Sequence, residues 1–328
     1  MKTALICGVS GQDGSLLARL LLENGYRVVG GSRDAQSANF ANLERLGIRD
    51  DVVQQSVTLT DFRSVIHALI RFRPDEIYNL AGQTSVSLSF DQPVETLESI
   101  SVATLNLLEA VRVTELTARI YNASSSECFG DTGTTAATEA THFRPRSPYG
   151  VAKAAAHWQV ANYREAYGLH CCSGILFNHE SPLRPARFVT RKVIAAAVRI
   201  ARGSRETVEL GNLDVIRDWG WAPEYVEAMW LMLQQPQPSD FVICTGQSIA
   251  LREFVRLCFA GVGLDWQQHV RVRKDLYRTS DITQSYGNAD KAQRELGWSA
   301  HTRVADVVRR MLEAEQGASL DQVLRRDA

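Results

Sequence analysis

Residues 4–7 form a short apolar run that ends at Gly8, the pattern of a strand buried on both faces. Over 15–23 the apolar positions recur at helical spacing, and Asn24-Gly25 closes the helix. Residues 26–30 return to strand, which completes one βαβ unit of about 30 residues. The alternation continues. An amphipathic helix over 62–73 stops before Pro74, and a strand follows over 76–81. Then come a long helix over 94–113, a strand over 118–124, a long helix over 147–167 and a strand over 171–177. Strands alternating with helices predict an α/β fold: a Rossmann-type doubly wound parallel sheet with helices on both faces.

The pattern changes after Asn178. Prolines and arginines precede a helix over 190–203, and 217–245 resumes a βαβ-like period. Beyond Leu251 come amphipathic helices with short connections. Two interleaved domains are expected: 1–177 plus about 217–247, and a smaller, mostly helical domain of 178–216 plus about 248–328. The tail from Gly317 reads as partly frayed.

Charge narrows the classes. The 36 Lys and Arg nearly balance 37 Asp and Glu, for a net charge of −1. Bulk attraction to nucleic acid or to a membrane surface is therefore not expected. Cys7, Cys128, Cys171, Cys172, Cys244 and Cys258 lack metal-ligand spacing and read as buried, reduced thiols. No metal is expected. The first apolar stretch is too short for a signal-peptide core or a membrane span, and the expected compartment is the cytoplasm.

Candidate chemistry sits at strand ends. Gly8-Val9-Ser10-Gly11-Gln12-Asp13-Gly14 lies between the first strand and helix. Its glycines permit a tight turn and close approach of a pyrophosphate to the helix N-terminus. Tyr149 and Lys153 are four apart, so they share one face of a helix. An ammonium there favours tyrosinate and is expected to lower the tyrosine pKa, which suits removal of a sugar hydroxyl proton. Ala123-Ser124-Ser125-Ser126-Glu127 ends a strand of the sheet. Ser125 can bond a sugar oxygen there, and Glu127 can remove a proton next to a ketone.

The glycine loop, the Tyr-x-x-x-Lys pair and the serine-rich strand end together resemble the extended short-chain dehydrogenase/reductase family. The segment Phe177-Asn178-His179-Glu180-Ser181-Pro182, then Phe188-Val189-Thr190-Arg191-Lys192, and Arg217-Asp218-Trp219-Gly220 make the chain resemble the GDP-mannose 4,6-dehydratase family within it. That resemblance implies a nucleotide-sugar-binding second domain and catalytic roles for Ser125, Glu127, Tyr149 and Lys153. It places the dinucleotide on Gly8, Ser10, Gly11, Gln12 and Asp13, with Arg33 and Leu59 at the adenosine end. Leu80, Ala81, Gln83, Tyr149, Lys153, His179 and Arg184 complete that set. The GDP-sugar falls to Ser85, Ser126, Asn178, Val189 and Lys192, then Leu210, Gly211 and Asn212, with Arg217, Arg278 and Asp281.

The implied reaction oxidises C4, eliminates water across C5 and C6, and returns the hydride to C6. Internally recycled NADP is the first expectation. NAD is the alternative, because Asp34 follows Arg33 where many relatives carry paired arginines. Tyr277-Arg278-Thr279-Ser280-Asp281 departs from the family's Arg-Pro-Ala-Glu, so a GDP-linked heptose stands beside GDP-mannose. A GDP-sugar 4-oxidoreductase or epimerase is the further alternative. The helices over 94–113 and 147–167 are expected to pair in a homodimer or homotetramer.

Overall fold

The computed structural model describes residues 1–324. The strands are β1 (Thr3–Cys7), β2 (Arg27–Ser32), β3 (Val53–Ser56), β4 (Glu76–Asn79), β5 (Arg119–Ser125), β6 (Cys171–Leu176), β7 (Asn178–Glu180), β8 (Val208–Leu210), β9 (Ile216–Trp221), β10 (Phe241–Ile243), β11 (Ser248–Ala250) and β12 (Val270–Val272). The helices are α1 (Gln12–Glu23), α2 (Ala41–Arg45), α3 (Phe62–Phe72), α4 (Val86–Asp91), α5 (Pro93–Leu97), α6 (Ala103–Val113) and α7 (Pro148–Tyr167). They continue with α8 (Val189–Ala201), α9 (Ala222–Gln234), α10 (Leu251–Ala260), α11 (Asp290–Leu296), α12 (Val304–Gln316) and α13 (Leu320–Leu324).

Seven parallel strands run in the order β10-β6-β5-β4-β1-β2-β3. The order reverses beside β1, so the crevice at the strand ends opens between β1 and β4. Alternate residues of β1 serve opposite faces. Ala4 and Ile6 join the core cluster that includes Leu17 and Leu21 of α1, while Leu5 and Cys7 join that of α3 and α6. Burial on both sides explains the uninterrupted apolar run. Each fully buried Leu or Ile there contributes roughly 1.5–3 kcal/mol.

Three elements differ from the sequence expectation. The helix over 94–113 is broken by one π-helical turn, Glu98–Val102, between α5 and α6. β9 does not enter the large sheet but pairs with β7 and β11 in a separate three-stranded sheet. α9 then packs back against α1, and β10 extends the large sheet beside β6. The smaller part is mostly helical, built on α8 and α10–α13, and β8 and β12 add a two-stranded sheet to it. The tail beyond Gly317 forms α13, with Val323 and Leu324 buried; residues 325–328 lie outside the described ones.

All six cysteines are buried and free. Among the described residues no cluster suits a metal ion, and no helix is long and apolar enough to cross a membrane.

Candidate active site

The loop between β1 and α1 builds one wall of a cleft of about 570 Å³. Gly14 has to be glycine: a Cβ there would meet the Gly8 carbonyl oxygen at 2.3 Å and the Val9 Cα at 2.7 Å. The turn can therefore fold tightly under the N-terminus of α1, where unpaired N–H groups attract a phosphate. Gly8, Ser10, Gly11, Gln12, Asp13, Arg33, Leu59, Leu80, Ala81, Gln83 and Arg184 all line this cleft. Ser32, Thr58, Gly82, Thr84, Arg187 and Phe188 line it as well, although no sequence motif singles them out for it. Arg187 also reaches Thr84 across the opening, donating to its Oγ1 at 3.3 Å.

His179 stands behind the loop. Its Nε2 lies 2.9 Å from Asp13 Oδ2, its Nδ1 lies 2.7 Å from the Phe177 carbonyl, and its ring stacks on Tyr225. Burial alone would raise Asp13, but the His179 charge and hydrogen bond overcome it and hold the carboxyl below its usual range. The same pairing overcomes burial at His179 and raises its pKa. Gln12 ties the loop to β7 by donating to the His179 carbonyl at 3.2 Å and accepting from Ser181 Oγ at 2.9 Å.

The chemistry side is set by β5 and α7. β5 runs to Ser125, whose Oγ accepts from the Glu127 N–H at 3.2 Å and starts a short 3₁₀ turn over Ser126–Cys128. α7 begins with Ser147 accepting from Gly150 N at 3.0 Å and with Pro148 in the first turn, two preferred start signals. Gly150 lets α7 approach that turn, since a Cβ would meet the Glu127 carbonyl at 2.8 Å. Tyr149 is thereby held beside Ser125 and Glu127.

Lys153 Nζ donates to the Ala123 carbonyl at 2.7 Å and lies 5.8 Å from the Tyr149 ring centroid. Burial brings its pKa down to about 8. The expected depression of the tyrosine is not what the chain alone produces. Burial raises Tyr149 above the usual phenol value, and a hydrogen bond from Ser125 pulls only partly back. Burial also raises Glu127, against the opposing pull of Arg217 and Arg278.

Those two arginines meet at Asp281, which lies 3.0 Å from Arg217 Nη2 and 3.1 Å from Arg278 Nη1. The remaining expected sugar-nucleotide contacts are more dispersed. Ser126 is buried in the Glu127 turn, Asn178 opens β7, and Ser85 caps α4 while its carbonyl accepts from Gln83 Nε2 at 2.7 Å. Val189 and Lys192 lie in the first turn of α8, and Lys192 Nζ donates to the Glu209 carbonyl at 2.6 Å, next to Leu210. Gly211 passes Leu276 closely, and Asn212 Oδ1 accepts from Asp214 N.

Tyr149, Lys153 and His179 are not among the residues that line the glycine-loop cleft. That cleft, with Ser125 and Glu127 at the end of β5 and Tyr149 and Lys153 at the start of α7, defines an extended short-chain dehydrogenase/reductase. Solved structures with this architecture include dTDP-glucose 4,6-dehydratase from Streptomyces venezuelae with NAD bound, at TM-score 0.87 and 21% identity, covering 96% of this chain and 97% of that one. Thermus thermophilus UDP-glucose 4-epimerase in complex with NAD matches at TM-score 0.84 and 26% identity, covering 96% and 99%. Within that class the profile of GDP-mannose 4,6 dehydratase matches residues 5–311. GDP-mannose 4,6 dehydratase 1 of Arabidopsis thaliana is 43% identical over 96% of this chain and 90% of its own length. The human GDP-mannose 4,6 dehydratase is 42% identical over 96% and 91%. The chain belongs to the GDP-mannose 4,6-dehydratase family.

Proposed function

We propose that the chain converts GDP-mannose to GDP-4-keto-6-deoxymannose. The observation that carries this reading is Glu127, a partly buried carboxylate with a raised pKa, placed beside Ser125 and Tyr149. Oxidation or epimerisation at C4 needs no such acid–base group; elimination across C5 and C6 does. A nicotinamide dinucleotide in the cleft supplies the hydride acceptor for C4 and the hydride donor for C6. Tyr149 takes the C4 hydroxyl proton, with Ser125 bonding the oxygen. Lys153 holds an ammonium near the ring, which attracts the charge developing on the phenol oxygen. Glu127 then takes the C5 proton, acidified by the new ketone, and delivers a proton to the departing C6 hydroxyl, which leaves as water; hydride return to C6 is completed by a proton taken up at C5, which balances the one Tyr149 removed from the C4 hydroxyl. Arg217 and Arg278 favour a diphosphate at the same site, because their planar forks donate paired hydrogen bonds.

Two finer assignments belong to this reading. The dinucleotide is NADP. Arg33 lines the cleft, whereas Asp34 turns into its own loop and accepts from Ser37 Oγ at 2.6 Å and Gln36 N at 2.9 Å. An arginine without a competing carboxylate suits a 2′-phosphate. The chain is a homo-oligomer. Val94, Leu97, Val102, Leu105, Val151 and Trp158 are exposed along α5, the π-helical turn, α6 and α7. So many large apolar side chains on neighbouring helices mark an interaction face. Incubation with GDP-mannose and product analysis by NMR tests the function; mass spectrometry of the denatured protein identifies the dinucleotide.

A further inference from the structure

Glu180 is 1% exposed, and neither the glycine loop nor the reacting groups use it. Its Oε2 accepts from the Thr190 hydroxyl at 2.7 Å and lies 3.4 Å from Arg184 Nε. One oxygen atom therefore serves two partners with different surroundings. Arg184 lines the dinucleotide cleft, with its guanidinium carbon 3.9 Å from the centroid of the Phe188 ring. Thr190 lies in the first turn of α8, between Val189 and Lys192. Phe188 belongs to both sides, because its carbonyl accepts from Lys192 N at 2.8 Å as α8 begins. The backbone of Glu180 is fixed in β7, opposite Trp221 of β9.

We propose that Glu180 is a positioning residue that serves both halves of the site: its carboxylate aims Arg184 at the dinucleotide and separately tethers the α8 turn that receives the GDP-sugar. The inference rests on the functional reading above. Arg184 is an ordinary rotamer-rich side chain; the Glu180 carboxylate holds its Nε by charge at 3.4 Å, without a hydrogen bond, and leaves the terminal nitrogens to face a phosphate. The α8 turn has a different need. Phe188, just before it, makes no side-chain capping bond, so the Thr190–Glu180 bond is what pins the turn to β7.

The two tethers are separable by substitution. In Glu180→Gln the side chain still accepts from Thr190 but loses the charge facing Arg184. In Thr190→Val the α8 tether goes and the Glu180–Arg184 pair stays; Thr190→Ser restores the hydroxyl. The holoenzyme is loaded with NADPH, its release is followed by fluorescence after dilution into excess NADP, and KM and kcat are measured with GDP-mannose. Loss of the Glu180–Arg184 ion pair is expected to speed release in Glu180→Gln by about tenfold or more, with KM within about twofold of wild type. Thr190→Val is expected to raise KM by about tenfold with release within about twofold of wild type, and Thr190→Ser to restore KM. Unchanged release in Glu180→Gln, or unchanged KM in Thr190→Val, overturns this dual role. So does a parallel loss of both properties in both variants with a fall in melting temperature, which would make Glu180 a structural prop. A wild-type protein that holds no nicotinamide dinucleotide overturns the functional reading itself and the inference with it.

Discussion

The His179 ring nitrogen Nε2 sits 2.9 Å from the Asp13 carboxylate, joining β7 to the first turn of α1 across 166 residues of sequence. The pair shields a carboxylate that would otherwise repel a pyrophosphate at the glycine loop. Its titration has a definite sign. Asp13 is depressed, so its contribution is present above the ordinary carboxylate pKa and is lost as pH falls through the depressed value. His179 is raised, so its contribution is full below its ordinary pKa and is lost as pH rises through the raised value. The holoenzyme should therefore lose melting temperature between neutral and alkaline pH, and His179→Gln should flatten that slope. Parallel slopes for the two proteins would remove the pair from this role.

Glu127→Gln should separate the two halves of the reaction. Elimination is expected to fall by about 10²–10⁴-fold, while oxidation at C4 continues. One equivalent of reduced nicotinamide should then appear on addition of GDP-mannose, read by its absorbance. Tyr149→Phe should abolish that signal. Full dehydration by Glu127→Gln would assign the proton transfer to another group.

The acid limb of the kcat profile should follow Glu127. Burial raises its pKa, so the limb belongs above the ordinary glutamate value of about 4.3. Arg217 opposes that shift, and Arg217→Gln should move the limb further toward neutrality. A limb that does not move would mean the arginine field does not reach the carboxylate.

Gly14→Ala should disable dinucleotide retention without touching the reacting groups. The added Cβ collides with backbone atoms of Gly8 and Val9 rather than with a flexible side chain, so the loop has to open. Protein purified from this variant should carry less bound dinucleotide than wild type, measured after denaturation. Equal loading would show that the loop tolerates a wider turn.

Trp158 is 61% exposed on α7, amid the apolar stripe shared with α5 and α6. Trp158→Glu should shift the mass seen by light scattering toward the monomer. An unchanged mass would place the interface elsewhere.

The first βαβ unit is legible in the sequence because a strand buried on both faces leaves an unbroken apolar run, and because Gly8, Gly11 and Gly14 mark the turn. Ser125 and Glu127 are legible as types at a strand end, and Tyr149 and Lys153 at a helix start. What escapes depends on long-range pairing. Val53–Ser56 is a polar strand at the sheet edge and has no apolar signature. β9 carries the same local pattern whether it joins the large sheet or, as here, the small one beside β7. β7 is three polar residues, Asn178, His179 and Glu180, whose strand character comes only from Trp219, Gly220 and Trp221 opposite. The depressed tyrosine expected from the Tyr149–Lys153 spacing is not produced by the chain alone, because burial of the phenol outweighs the opposing Ser125 hydrogen bond and the Arg184 charge.

Elimination with internal return of hydride is tested most directly with GDP-mannose deuterated at C4. Internal return predicts a 4-keto-6-deoxy product that carries the deuterium at C6 by NMR, with no net change in dinucleotide redox state. A product that keeps its C6 hydroxyl, with deuterium left on the dinucleotide, would rule that mechanism out.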